Sequence, residues 1–138
     1  MKKIALVIAI TAALAACTEN PKVQTEPSIP YDLTQNGDTS VITVLDGDSR
    51  EVSFVFSDSD LKSTGMSYEK AAEACRASIL EARAWPLYPK SFRYNGPSRI
   101  VIEGGKIQII VEGALEGEPT KFIMKAKLDG TVERERVI

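Results

Sequence analysis

The chain has 138 residues, with 17 basic and 19 acidic side chains, a net charge of −2 and no histidine. A nearly neutral, slightly acidic balance argues against nucleic acid as a partner, for which a basic face is the electrostatic footprint. The missing histidine excludes Ser-His-Asp and Cys-His catalysis, histidine acid/base chemistry and ordinary zinc sites.

At the start, Met1-Lys2-Lys3 precedes the apolar run Ile4-Ala5-Leu6-Val7-Ile8-Ala9-Ile10 and then Thr11-Ala12-Ala13-Leu14-Ala15-Ala16-Cys17. A basic start, a short apolar stretch and small residues at the end are the parts of a secretory signal. The stretch is too short for a durable span, which needs about 20 apolar residues. Leu14-Ala15-Ala16-Cys17 resembles the lipobox of bacterial lipoproteins, a leucine and two small residues before a cysteine. The resemblance covers the first 17 residues and implies cleavage before Cys17, diacylglycerol on its thiol and acylation of the new amine. Several acyl chains, at roughly 0.8 kcal/mol per CH₂, make such an anchor close to permanent. Thr18 stands where the family's sorting rule reads aspartate as inner-membrane retention, so the resemblance implies the outer membrane, facing the periplasm, in a host that has one. The alternative is an ordinary cleaved signal that happens to end at a cysteine. Losing residues 1–16 removes Lys2 and Lys3 and no acid, which takes the net charge to −4. No polybasic surface is left to hold lipid headgroups, so the partner at the membrane is lipid on Cys17 itself.

From Thr18 to Thr39 the chain is polar, with Pro21, Pro27 and Pro30, no apolar periodicity and an Asn36-Gly37 turn signal. Residues 17–39 therefore read as the lipidated cysteine and a flexible tether, and residues 40–138 as a single domain. Val41 to Leu45 is a β-branched run ended by Asp46-Gly47-Asp48, and Glu51 to Ser57 places Val52, Phe54 and Phe56 on one face, which predicts a first hairpin. Asp58 to Gly65 reads as a polar loop. Ser67 then sits where an N-cap belongs, and Tyr68, Ala71, Ala72, Cys75, Ile79 and Ala82 recur at helical spacing, predicting an amphipathic helix to about Ala84 that Pro86 and Pro89 stop.

Strand signals return at Phe92-Arg93-Tyr94, followed by the turn Asn95-Gly96-Pro97, Arg99 to Glu103, a Gly104-Gly105 hairpin and Lys106 to Glu112. Lys121 to Leu128 has Phe122, Met124, Ala126 and Leu128 on one face and Lys121, Lys125 and Lys127 on the other. Asp129-Gly130 turns it into Thr131 to Val137. The expectation is α+β: one amphipathic helix packed against a curled antiparallel sheet of about six strands. A helix with its cysteine, then strands and a closing strand-Asp-Gly-strand, is similar to small uncharacterised exported proteins of proteobacteria. Those carry a second cysteine in the penultimate strand, where this chain has Phe122-Ile123-Met124, and the similarity implies no activity.

Several constellations invite chemistry. Ser67-Tyr68-Glu69-Lys70 has the Ser-x-x-Lys spacing of penicillin-binding proteins and β-lactamases, which would suit a periplasmic hydrolase with Ser67 as nucleophile and Lys70 as base. Neither a Ser-x-Asn nor a Lys-Thr-Gly element accompanies it, and a helix cap is the competing role. Cys75, the one thiol left after lipidation of Cys17, reads as a small core residue or as the seat of an intermolecular disulfide. Asp46, Asp48, Glu51, Asp58 and Asp60 could gather calcium, yet they lack the register of an EF-hand and read as turn acids, so no metal or cofactor is expected. Trp85-Pro86-Leu87-Tyr88-Pro89, with Phe92 and Tyr94, puts the only tryptophan and two of four tyrosines into ten residues. These rings either close the core or present Trp85, Tyr88 and Tyr94 to a partner. The lead expectation is a non-enzymatic envelope lipoprotein with a protein or cell-wall partner. A small-molecule binder within the curled sheet is its alternative.

Overall fold

A computed structural model describes residues 29–85, 92–94 and 97–138. The signal, Cys17 and most of the tether lie outside the described residues, as do Tyr88, Pro86, Pro89 and the Asn95-Gly96 turn.

The period-two alternation that predicts the first hairpin is what the sheet uses. Strands β2 (Thr39–Leu45) and β3 (Glu51–Ser57) pair antiparallel and bury Ile42, Val44, Val52, Phe54 and Phe56 on one face. Before them runs β1 (Asp32–Asn36), antiparallel to β2 across a turn at Gly37, whose φ of 63° suits glycine. This strand lies within residues 17–39, the segment that reads as a tether from its composition. Strand β1 has a single apolar side chain, Leu33, packed against the core, so no alternation announces it.

The polar loop after β3 is a helix as well. Helix α1 (Asp58–Thr64) is capped by Ser57, whose hydroxyl accepts the Asp60 N–H, and Gly65, in the left-handed region, returns its N–H to Lys62. Asp58 and Asp60 sit in its first turn, where the helix dipole favours negative charge. Leu61 alone anchors it in the core, which is too few apolar positions for periodicity to register. Helix α2 (Tyr68–Arg83) follows with Ser67 as its N-cap, close to the predicted span. Its buried stripe is Ala71, Ala72, Ala74, Cys75, Ser78, Ile79 and Ala82. Small side chains let the helix lie close on the sheet, where it touches β2, β6, β7 and β8.

Four strands complete the fold: β4 (Phe92–Tyr94), β5 (Ser98–Glu103), β6 (Lys106–Leu115) and β7 (Glu118–Ala126), before the closing β8 (Val132–Val137). Strand order is β1-β2-β3-β5-β6-β7-β8, with β4 pairing the far end of β6 beyond β5. All neighbours are antiparallel except β3 and β5, which meet in parallel because the two helices intervene. The α+β expectation holds, with eight strands in place of about six and two helices in place of one among the described residues. The sheet is open, and β1 and β8 are its edges.

One glycine shows how tightly the layers meet. A Cβ on Gly113 would lie 2.3 Å from the Arg93 carbonyl oxygen and 2.4 Å from the Phe92 ring, so β6 admits only glycine where β4 crosses it. The space between α2 and the sheet is filled by Ile79, Phe54, Phe92 and Phe122. On the other face, away from both helices, Ile110 and Ile123 are buried as a cross-strand pair.

Candidate functional site

Trp85 follows the end of α2, where helix geometry aims it at the sheet. It is 8% exposed, its ring stands 5.2 Å from Phe122, and Phe122 meets Phe92 edge-on at 5.1 Å. The Arg134 guanidinium covers the indole at 5.4 Å, while its Nε donates to Glu81 of α2 at 2.8 Å. Tyr94 is half-buried. Its hydroxyl donates to Asp46 Oδ2 at 2.9 Å and the Arg50 guanidinium lies 4.7 Å over its ring. Packing thus claims Trp85 and Tyr94. Core closure accounts for both, and neither is the exposed anchor that a recognition patch requires. Tyr88, the third of that set, lies outside the described residues.

Asp46 is the partner that Tyr94 finds. Its carboxylate is fully buried and accepts from the backbone N–H groups of Asp48 at 2.8 Å and Arg50 at 3.0 Å, and from Arg50 Nε at 3.0 Å. Burial pushes this carboxyl up. The hydrogen bonds from Arg50 and Asp48, then that of Tyr94 and the Arg50 charge, outweigh it and hold the pKa below the ordinary carboxylate value. A turn acid read as solvated is therefore the hub that ties the β2–β3 turn to β4. Asp48, beside it, pairs with Arg83 of α2 at 3.1 Å, and the described residues contain no group of three or more side chains arranged to hold a metal.

A second polar hub, which no sequence motif marks, joins β1, α1 and α2. Asp58, at the start of α1, accepts from the Tyr68 hydroxyl and from Ser40 Oγ and pairs with Lys62, while Gln35 of β1 donates to the Tyr68 hydroxyl at 2.9 Å. The Tyr68 hydrogen bond chiefly holds the Asp58 carboxyl below its ordinary value, and the same bond raises the Tyr68 phenol. Asp38, in the β1–β2 turn, accepts from the hydroxyls of Ser57 and Ser59 and from the Ser59 N–H. Apart from the Asp58–Lys62 pair, which is an i,i+4 contact within α1, no spacing rule relates these residues, because the contacts join separate elements.

The Ser-x-x-Lys pair has helix-start geometry: Ser67 Oγ accepts the Lys70 backbone N–H at 3.1 Å, and Lys70 Nζ lies 3.4 Å from Glu73. Cys75 has no exposed surface, and burial raises its thiol well above the ordinary value. A neutral, enclosed thiol is a core residue, not one placed for an intermolecular disulfide. At the end of the sheet near Tyr31, a shallow cleft of about 280 Å³ opens between Pro30, Asp32, Leu45 and Glu51.

The two edges of the sheet differ in charge and in register. Strand β8 carries Glu133, Arg134, Glu135 and Arg136 in succession, with a register shift against β7 at Ile123/Met124. Strand β1 reads Asp-Leu-Thr-Gln-Asn, with one charge and unbroken register. Charges and bulges are how proteins block an edge against added strands, so β8 is guarded and β1 is not.

No protein-family model, no curated protein and no solved structure matches the chain.

Proposed function

We propose that this chain is a bacterial envelope lipoprotein, cut before Cys17, anchored by lipid on that residue and sorted to the outer membrane, whose domain works by binding and not by catalysis. The observation that carries the anchoring is the Leu14-Ala15-Ala16-Cys17 motif behind a basic and apolar leader. The binding reading is supported by what the polar groups do. Asp46, Asp58 and Ser67, the best-placed candidates for chemistry, are each committed to a turn, a helix start or a cap, and the chain has no histidine to activate a nucleophile. The partner is an envelope protein or a cell-wall component, met at the membrane surface.

Growing cells with labelled palmitate tests the anchor. The full chain is expected to carry label and Cys17→Ala to carry none. Equal labelling of the two, or none in either, contradicts the proposal.

A further inference from the structure

Which main-chain groups of β1 face outward follows from the hydrogen-bond alternation of the next hairpin. The Asp46 N–H donates to the Arg50 carbonyl and the Asp58 N–H to the Asp38 carbonyl. These bonds lie at the two ends of the β2–β3 ladder, in register with the pairs Val44–Val52, Ile42–Phe54 and Ser40–Phe56. Those residues of β2 therefore bond to β3, and the alternate ones, Thr39, Val41 and Thr43, bond to β1. Their register partners are Asn36, Thr34 and Asp32. The N–H and C=O groups of Leu33 and Gln35 are left pointing away from the sheet, along an edge that no described strand covers.

We infer that β1 pairs antiparallel with β1 of a second copy of this chain, about a two-fold axis through Thr34. Three observations fit this occupant. First, a strand meeting its own copy around Thr34 sets Leu33 opposite Gln35 of the other copy, so all the outward groups are matched in mutual hydrogen-bonded pairs. Second, the charges agree: Asp32, the only charged residue of the strand, falls opposite the Asn36 amide, and no like charges meet. Third, Thr34 shares the helix-free face with Val41 and Val55, its successive register neighbours, both half-buried. Pairing joins that row to its copy across the axis.

The alternative edge meets none of these conditions simply. The charges of β8 are already engaged, Glu133 with Lys127 at 2.7 Å and Arg134 with Glu81 at 2.8 Å, and its register is broken. A five-residue strand pair is a small interface, below the area of a stable dimer in dilute solution. Confinement of the chains to one membrane plane raises their effective concentration, and in this respect the inference rests on the lipid-anchored reading.

The register makes the test specific. At the axis, Thr34 and its copy form a non-hydrogen-bonded pair with Cα atoms about 4.5 Å apart, inside the range a disulfide spans, about 4.4–6.8 Å. Gln35 and its copy are two residues out of register, beyond the limit of about 7 Å. The full-length Thr34→Cys and Gln35→Cys chains, in vesicles of phosphatidylethanolamine and phosphatidylglycerol, are oxidised with oxidised glutathione beside the unaltered chain, which reports any background through Cys17. Cys75 is enclosed and takes no part.

The expected result is a disulfide-linked dimer from Thr34→Cys, at least tenfold above both other chains. Equal yields from Thr34→Cys and Gln35→Cys, no yield above the unaltered chain, or linkage of Thr34→Cys to a different protein when the oxidation is done in cells, overturns the inference. Thr34→Lys, which places two ammonium groups at the axis of an exposed position, is expected to abolish self-association while leaving the circular dichroism spectrum unchanged. Self-association that survives Thr34→Lys also overturns it. Failure of the linkage with palmitate label present removes the pairing and leaves the anchor. Loss of the label removes the anchor.

Discussion

The two edges of the sheet solve one problem in opposite ways. Strand β8 protects its open main-chain groups with four successive charges and a broken register, and α2 holds it down through Glu81 and Arg134. Strand β1 has one charge, an unbroken register and a run of threonine, glutamine and asparagine. Proteins that must stay apart blunt every edge. A chain that guards one and leaves the other open has kept a surface on which a strand can be added, and that contrast, more than any pocket, locates interaction in this molecule.

The largest effect expected from testing the contrast lies at the guarded end. Trp85 supports the Arg134 side chain from below and packs on Phe122, so Trp85→Ala should cost about 3–5 kcal/mol in urea unfolding. Amide exchange in β8 should then quicken more than in β1. A cost below about 1 kcal/mol would return Trp85 to the role of an exposed contact.

A middling effect is expected where β4 is tied to the β2–β3 turn. Tyr94→Phe removes a hydrogen bond to a buried carboxylate, worth about 1.5–3 kcal/mol. Asp46 has a folded pKa below its unfolded value. Its stabilisation is therefore complete above the unfolded pKa of about 3.9 and is lost as pH falls through the lower folded value. Thermal melts between pH 2 and 7 should show this loss in the unaltered chain and a shallower one in Asp46→Asn, which is less stable at neutral pH. Without the Tyr94 bond the folded pKa of Asp46 moves up towards the unfolded value, so the loss in Tyr94→Phe should begin at the same pH, be smaller and end at a higher pH.

How much of this was legible beforehand depended on how many side chains each element commits to the core. Strands β2 and β3 each bury three residues in strict alternation, and α2 buries seven at helical spacing, so their patterns are plain in the sequence. Strand β1 and helix α1 each turn one large apolar side chain inward, Leu33 and Leu61. One such residue makes no period, and both segments read as polar connections. The parallel contact of β3 with β5 depends on the path of the crossover, which no local pattern encodes. The aromatic cluster was visible as composition, but its fate turns on Phe122, far along the chain from Trp85 and packed against it. The open edge could be recognised only once β1 was known to be a strand and β8 to be the other limit of the sheet.

The smallest change in stability belongs to removing the guard. Glu133 is more than half exposed and pairs with an equally exposed Lys127, so Glu133→Val with Arg136→Val should leave the urea unfolding midpoint nearly unchanged. The variant should nevertheless associate at concentrations where the unaltered chain does not, because its edge has lost half its charges. A double variant that is as dispersed as the parent would mean that the bulge alone protects β8.

The most direct measurement of the central claim is energy transfer between labelled copies of the full-length chain in phospholipid vesicles, where the anchors share one membrane plane, with Thr34→Lys in β1 or Glu135→Lys in β8. The account predicts that the β1 substitution returns the self-associating chain to monomers and that the β8 substitution leaves it unchanged. Loss of association in both, or in neither, would contradict it.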